Sequence, residues 1–215
     1  EKVYRSKVRP QIEASMVARG MVRVPFLRRV VYRKAVRSLL AAFGGGLRQM
    51  GFGGAALAPE VERFLSEGRF PYFVGYGMTE CSPLVTGAAL EETRRGSCGY
   101  PVRRGEVRVA EPDRRTGVGE VEVRGPMVTR GYFKNVDATA ALFTPDGWLR
   151  TGDLGLLDRD GFLHLKGRSK NVLLGASGEN IYPEEIEQIW NASPLVLESL
   201  VVMRDGRLLA LVVPD

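Results

Sequence analysis

Between residues 47 and 77 the chain alternates apolar runs with glycine turns and one helix, and this order constrains the fold more than any other feature. Residues 47–52 form a largely apolar run. Gly53-Gly54-Ala55-Ala56 follows, then a helix predicted over 59–67 with Pro59 in its first turn and Gly68 past its end. Residues 71–75 are a second short apolar run. A strand, a helix and a second strand in sequence make a parallel pair of the α/β kind. Both glycine-rich segments, 53–56 and 75–77, lie just past strand C-terminal ends, where open α/β sheets place ligands.

The second of these segments carries chemistry. Residues 74–80 read Val-Gly-Tyr-Gly-Met-Thr-Glu. Tyr76 offers a flat ring for stacking, and Gly75 and Gly77 let backbone approach closely. Thr79 offers a hydroxyl to a phosphate oxygen. Glu80 offers a carboxylate to Mg²⁺, an ion that takes one or two carboxylates and fills its other positions with phosphate oxygens and water. The same residues also suit an ordinary glycine-rich turn after a buried strand, and this segment alone does not separate the two.

The bulk numbers narrow the class. With 215 residues and 44% hydrophobic content the chain can bury a core in one large domain or two smaller ones. No apolar run is long enough to span a membrane, and the first residues lack the apolar centre of a signal peptide. Cys81 and Cys98 are the only cysteines. Their spacing fits no metal or redox motif, so a reducing, cytoplasmic setting is expected. His164 is the only histidine and alternates with Phe162 and Lys166 along an expected strand. A structural role suits it better than a nucleophilic triad.

Charge is unevenly placed. Residues 1–50 hold twelve Lys or Arg against two acids, a net +10, so the remainder carries −4 of the total +6. Much of the excess falls on a helix predicted over 26–43, where apolar pairs alternate with Arg28/Arg29, Arg33/Lys34 and Arg37. This spacing predicts an apolar side and a clean basic face. The face suits a solvated surface whose apolar side packs on a neighbour, a peripheral contact with an anionic membrane, or nucleic acid. Nucleic acid fits least, because no aromatic residues interleave with the bases.

Past residue 87 the texture changes. Alternating runs at 106–110, 119–124 and 162–166 are separated by Glu111-Pro112-Asp113, Asp146-Gly147 and Asp160-Gly161, the pattern of an antiparallel β module. Gly44-Gly45-Gly46 follows a helix, so it reads as a C-terminal cap, not a phosphate loop. A last segment holds the loop Gly175-Ala176-Ser177-Gly178, a helix over 183–190 and a hairpin turning at Asp205-Gly206. One helix and one hairpin make a thin core.

Taken in order, these segments resemble the adenylate-forming enzymes, specifically the AMP-forming long-chain fatty acyl-CoA synthetases. Gly53-Gly54-Ala55-Ala56-Leu57 resembles the family's adenine-facing loop. Tyr76-Gly77-Met78-Thr79-Glu80 matches its adenine, phosphate and Mg²⁺ motif. Gly119-Glu120-Val121 through Arg130-Gly131-Tyr132 resembles the following β motif, and Trp148-Leu149-Arg150-Thr151-Gly152-Asp153 the ribose motif. Gly167-Arg168-Ser169-Lys170, with residues 178–187, resembles the hinge and the start of a mobile C-terminal domain.

The resemblance implies roles. Gly53, Gly54, Ala55, Tyr76, Gly77 and Thr79 would face the nucleotide. Glu80 would hold Mg²⁺, Asp153 the ribose hydroxyls from just after a Thr-Gly turn, and Arg168 the ribose or phosphate. Lys170 would be the pivot, and Gly178 would line the pantetheine channel. Without the motifs, Asp153 reads as a turn cap, Arg168 as a rim ion pair, Lys170 as an exposed lysine and Gly178 as a turn glycine. The implied architecture is a partial α/β adenylate-forming fold: 1–86 from the large domain, 87–168 its β-rich subdomain, and 169–215 the start of the C-terminal domain. The implied reaction joins a fatty acid to CoA with ATP and Mg²⁺, through an acyl-adenylate. Residues 81–85 (Cys-Ser-Pro-Leu-Val) resemble long-chain members.

Two family parts have no counterpart. Nothing in residues 1–52 resembles the Lys-containing phosphate loop, and the family's adenylation lysine would fall past Asp215. Lys166 and Lys170 belong to the hinge region. The expectation is therefore a fragment that forms little adenylate alone, since removing one stabiliser of developing charge costs about 10²–10³ in rate. Competing readings are a ligase that stops at the adenylate or serves a carrier protein, and a non-catalytic nucleotide-binding homologue.

Overall fold

The computed structural model describes residues 3–175, 177–193 and 195–215. Ala176 of the glycine-rich loop and the N-terminal Glu1 and Lys2 lie outside the described residues. The chain forms two units, Glu1–Val74 with Ala88–Gly96, and Gly75–Gly87 with Ser97–Asp215.

The first unit is mainly helical. A π-turn at Tyr4–Val8 leads into α1 (Arg9–Ala14), α2 (Met16–Arg23) and α3 (Pro25–Ala42). Ser15 caps α2 by accepting the Ala18 N–H at 3.2 Å. α3 ends as expected of a glycine cap: Gly44 and Gly45 take left-handed φ of 80° and 72°, and Gly45 N–H reaches back to the Leu40 carbonyl at 2.9 Å. β1 (Met50–Phe52), α4 (Pro59–Gly68) and β2 (Tyr72–Val74) follow. β1 and β2 pair in parallel, Gly51 opposite Phe73, so the expected strand–helix–strand unit is present.

The core of this unit centres on Phe64. Its ring lies 5.0 Å from Tyr4 and 5.2 Å, edge-on, from Tyr32, with Val36, Val61 and Leu65 buried around it. Gly68 was expected just past α4. It lies inside the helix, and Arg69 takes the left-handed cap at φ 61°. The reason is packing, since a Cβ on Gly68 would strike the Val36 side chain and approach the Tyr32 carbonyl at 3.1 Å.

α3 departs from the clean basic face predicted for it. Only Tyr32 and Val36 are fully buried. Arg28 turns toward α4 and forms a two-bonded ion pair with Glu67, both bonds 2.8 Å. Phe26 (74% exposed) and Val30 (47%) face solvent beside Lys34 and Arg37, which are also exposed. The outward side is therefore mixed, apolar and basic together. Among the described residues no helix is long and apolar enough to cross a membrane.

The second unit is built on β-sheets. β3 (Tyr76–Gly77), β4 (Leu84–Gly87) and β5 (Tyr100–Pro101) make one antiparallel sheet. β6 (Glu106–Ala110), β7 (Gly119–Arg124), β8 (Leu149–Leu157) and β9 (Leu163–Arg168) make a four-stranded meander. Its buried alternation, Val121, Val123, Leu149 and Leu163, closes on Tyr76, Cys81 and Val85 as one core. α5 (Val136–Leu142) lies between β7 and β8, its start capped by the Asn135 side chain. β10 (Leu173–Leu174) and β11 (Asn180–Ile181) pair, then α6 (Pro183–Asn191) packs on the hairpin of β12 (Val196–Arg204) and β13 (Arg207–Pro214). That hairpin turns at Asp205 and Gly206, both with positive φ. β13 is exposed along its length, the thin core expected of this segment.

Candidate functional site

The site is assembled by one distortion in the meander. Residues 151–153 were expected as a Thr-Gly turn, but β8 runs straight through them. Glu120 and Glu122 of β7 face Leu154 and Arg150, so three residues of β8 oppose one of β7. Gly152 absorbs the excess at φ 70°, a conformation that only glycine takes cheaply. Thr151 bonds the Val121 carbonyl at 2.7 Å, and Gly152 N–H donates to Glu120 at 3.1 Å. A bulge re-aims the side chain beside it, and here that side chain is Asp153.

Asp153 meets two partners. The Tyr76 hydroxyl donates to its Oδ2 at 2.6 Å, and Arg168 Nε lies 3.1 Å from its Oδ1. Asp153 and Arg168 are directly opposed across β8 and β9, which explains their pairing. The Tyr76 ring is buried in the core, and burial, then the bond to Asp153, holds its hydroxyl well above the ordinary range. It therefore stays a neutral donor at physiological pH. Two residues from two other sequence motifs thus converge on one carboxylate.

Glu80 stands in the 3₁₀ turn Thr79–Cys81. Its Oε1 accepts the Tyr132 hydroxyl at 2.6 Å, and its carbonyl accepts Thr129 N–H at 2.7 Å. Thr79 is exposed on the same turn. Gly77 has no room for a side chain, because a Cβ would run into the Pro83 carbonyl oxygen. Among the described residues no group of three His, Cys, Asp or Glu side chains forms a metal cage. A lone half-buried carboxylate suits Mg²⁺, whose remaining ligands would be phosphate oxygens and water.

The other expected site residues make none of these contacts. Gly53, Gly54 and Ala55 form an exposed loop after β1 in the first unit, with Gly54 at φ 81°. Lys170 is exposed in the 3₁₀ turn Ser169–Asn171, and Ser169 ties that turn to the Gly152 carbonyl at 3.1 Å. On one side of the turn Lys166 pairs with Glu185, and on the other Asn171 donates to Glu184, both at 2.7 Å. Gly178 is exposed at φ 81°.

The remaining reactive side chains are accounted for. Cys81 and Cys98 are free thiols, and burial pushes Cys81 up to about 11. That makes it a core side chain, not a nucleophile. His164 lies on β9 with Nε2 3.3 Å from Asp158 Oδ2. Tyr132 is the contact of Glu80 that the sequence left without a role. It stood inside a matched motif, but its contact with Glu80 spans 52 positions and has no local signal.

Comparison with known proteins follows the same lines. The family model described as AMP-binding enzyme matches residues 13–133, more than half of the chain. A long-chain-fatty-acid–CoA ligase of Mycobacterium bovis is 38% identical over 174 residues, covering 81% of this chain and 27% of the relative. A 2-succinylbenzoate–CoA ligase of Bacillus cytotoxicus is 41% identical over 155 residues, covering 70% and 32%. The chain thus spans about a third or less of the length of these relatives.

Among solved structures, o-succinylbenzoate CoA synthetase of Bacillus subtilis with its acyl-adenylate superposes at TM-score 0.71. It shares 30% identity, with 83% of this chain and 40% of that one covered. ATP-bound MatB of Rhodopseudomonas palustris gives TM-score 0.71 at 32% identity, covering 87% and 40%. The chain belongs to the AMP-binding enzyme family, the adenylate-forming enzymes among which these CoA ligases are found.

Proposed function

We propose that this chain supplies adenine-, ribose- and Mg²⁺-facing residues to an ATP-dependent long-chain fatty acid–CoA ligase. The observation that carries the reading is the Tyr76–Asp153–Arg168 cluster, bonded at 2.6 and 3.1 Å. It makes a fixed carboxylate of the kind that accepts ribose hydroxyls, beside a ring and a glycine backbone suited to a base.

In the proposed reaction a fatty carboxylate oxygen bonds the α-phosphorus of ATP, and the bond to the β-phosphate bridging oxygen breaks, releasing pyrophosphate. The CoA thiolate then bonds the acyl carbon, and AMP departs with the bonding pair. Displacement between anions gains most from positioning and charge neutralisation. Asp153 would orient the ribose, Arg168 would add a fixed cation, and Thr79 would meet a phosphate oxygen. Bound Mg²⁺ would neutralise phosphate charge at Glu80. Gly53, Gly54 and Ala55 would face adenine. Lys170 would be the pivot between 1–168, with its β-rich part at 87–168, and a C-terminal domain starting at 169–215. Gly178 would lie along the CoA path.

Two observations favour a long acyl chain: the long-chain ligase relative and the Cys81–Val85 sequence. A second reading, an aromatic dicarboxylate such as 2-succinylbenzoate, is favoured by the ligase of that name at 41% identity. Calorimetric titration with non-hydrolysable palmitoyl- and succinylbenzoyl-adenylate analogues tests both. Tighter binding of the palmitoyl analogue, weakened by Asp153→Ala, is the expected result. Preference for the succinylbenzoyl analogue selects the second reading, and binding of neither removes both. The mixed basic and apolar side of α3 would add a peripheral contact with an anionic membrane.

A further inference from the structure

We infer that Tyr132 is a positioning residue that fixes the Glu80 carboxylate for a magnesium–nucleotide complex; the inference rests on the nucleotide reading above. A glutamate side chain costs up to about 2 kcal/mol of rotamer entropy to immobilise, so a ligating carboxylate gains from being held beforehand. Glu80 is held twice. Thr129 N–H fixes its carbonyl at 2.7 Å, and the Tyr132 hydroxyl fixes Oε1 at 2.6 Å. A monodentate metal contact then needs only Oε2.

Tyr132 is not placed there by core packing, because it is 42% exposed. A bracket of hydrogen bonds places it instead. Asn135 caps α5 by accepting Ala138 N–H at 3.0 Å. The Thr139 hydroxyl donates to the Asn135 carbonyl at 2.7 Å and accepts Tyr132 N–H at 2.9 Å. Tyr132 and Asn135 form a bridge across the turn. Gly131 sits at φ 133°, and any Cβ there would collide with the Thr139 side chain. The 131–139 segment is thus a closed support that holds the Tyr132 phenol on Glu80. Outer hydrogen bonds of this kind, when removed, weaken metal binding about 10- to 100-fold.

The test is a double-mutant cycle on the full chain with ATP present, reading bound Mn²⁺ by electron paramagnetic resonance as a stand-in for Mg²⁺. Tyr132→Phe keeps the ring and should weaken Mn²⁺ binding about tenfold while leaving metal-free AMP affinity unchanged. In the Glu80→Gln background the same change should add nothing. Thr139→Val should weaken Mn²⁺, and Thr139→Ser, which retains the hydroxyl, should not. Wild-type Mn²⁺ affinity in Tyr132→Phe, alongside a loss in Glu80→Gln, overturns the positioning role and leaves the nucleotide reading standing. Equal additional loss in the Glu80→Gln background overturns it as well, since the tyrosine would then act elsewhere. Wild-type Mn²⁺ affinity in Glu80→Gln removes Glu80 from the nucleotide reading, and this inference with it.

Discussion

Tyr76 uses its two ends for different purposes. The ring fills the core shared with Cys81, Val85 and Leu149, while the hydroxyl holds one oxygen of Asp153 at 2.6 Å. Tyr76→Phe separates these roles, because it removes the hydrogen bond and leaves the packing. A hydrogen bond to a charged group contributes about 1.5–3 kcal/mol, so AMP affinity should fall roughly tenfold by calorimetry if Asp153 holds the ribose. Unchanged AMP affinity would leave the hydroxyl with a structural role alone. The tyrosine's raised titration range has a further consequence. Donation to Asp153 should persist as the solution becomes alkaline, so wild-type AMP affinity should show no tyrosine titration up to about pH 10.5, past the ordinary tyrosine value near 10. A decline through that interval would show that Tyr76 ionises there.

At the scale of elements, the α3–α4 contact is governed by Gly68 and by Arg28 with Glu67. A methyl group at position 68 must displace Val36 or the Tyr32 carbonyl. Gly68→Ala should therefore destabilise the first unit by about 1–3 kcal/mol, the usual cost of overpacking, read by urea denaturation. A stabilised variant would mean that helix propensity outweighs the close approach. The ion pair sets a pH dependence. Hydrogen bonding to Arg28 lowers Glu67 below the usual carboxylate range. Its contribution is thus present above the unfolded glutamate value near 4.3 and is lost as pH falls through the folded value. The melting temperature of Glu67→Gln should drop less between pH 7 and pH 3 than that of wild type; parallel drops would show that the pair contributes nothing.

Much of this level was readable beforehand. The parallel β1–β2 pair, the meander strands β6, β7 and β9 and the Asp205-Gly206 hairpin all carry local periodicity or turn signals. Other elements have none. The breaks between the N-terminal helices fall at Ser15 and Val24, both extended, and α5 is seven residues formed around the Asn135 cap. β8 hid behind Gly152, a turn residue used here as a bulge. The site shows the same division. Its residue types were legible as motifs, but the bonds that join Tyr76 to Asp153 and Tyr132 to Glu80 cross 77 and 52 positions and arise only from tertiary packing.

For the whole molecule, the consequence of greatest reach is the division of charge, +10 over residues 1–50 against −4 elsewhere. No acid occurs between Glu13 and Glu60, so the helices of that stretch carry an excess of positive charge, offset at Arg28 by Glu67. Field alone would suit any polyanion. What favours a lipid surface is that Met16, Val17, Phe26 and Val30 are exposed among those bases, at 79, 72, 74 and 47%, where they can enter the acyl boundary. Each Lys or Arg near an anionic bilayer contributes about 1 kcal/mol, and burying a phenylalanine side chain about 1.5–3 kcal/mol. The chain should co-sediment with vesicles containing phosphatidylglycerol and not with pure phosphatidylcholine, and binding should weaken as salt shortens the Debye length. Phe26→Asp should reduce it by about tenfold or more without altering the melting temperature, because the ring lies outside the core. Lys34→Glu with Arg37→Glu should reduce binding and its salt dependence together. Equal binding to neutral vesicles, or full binding by Phe26→Asp, would reject the membrane contact and leave the α3 surface to another anionic partner.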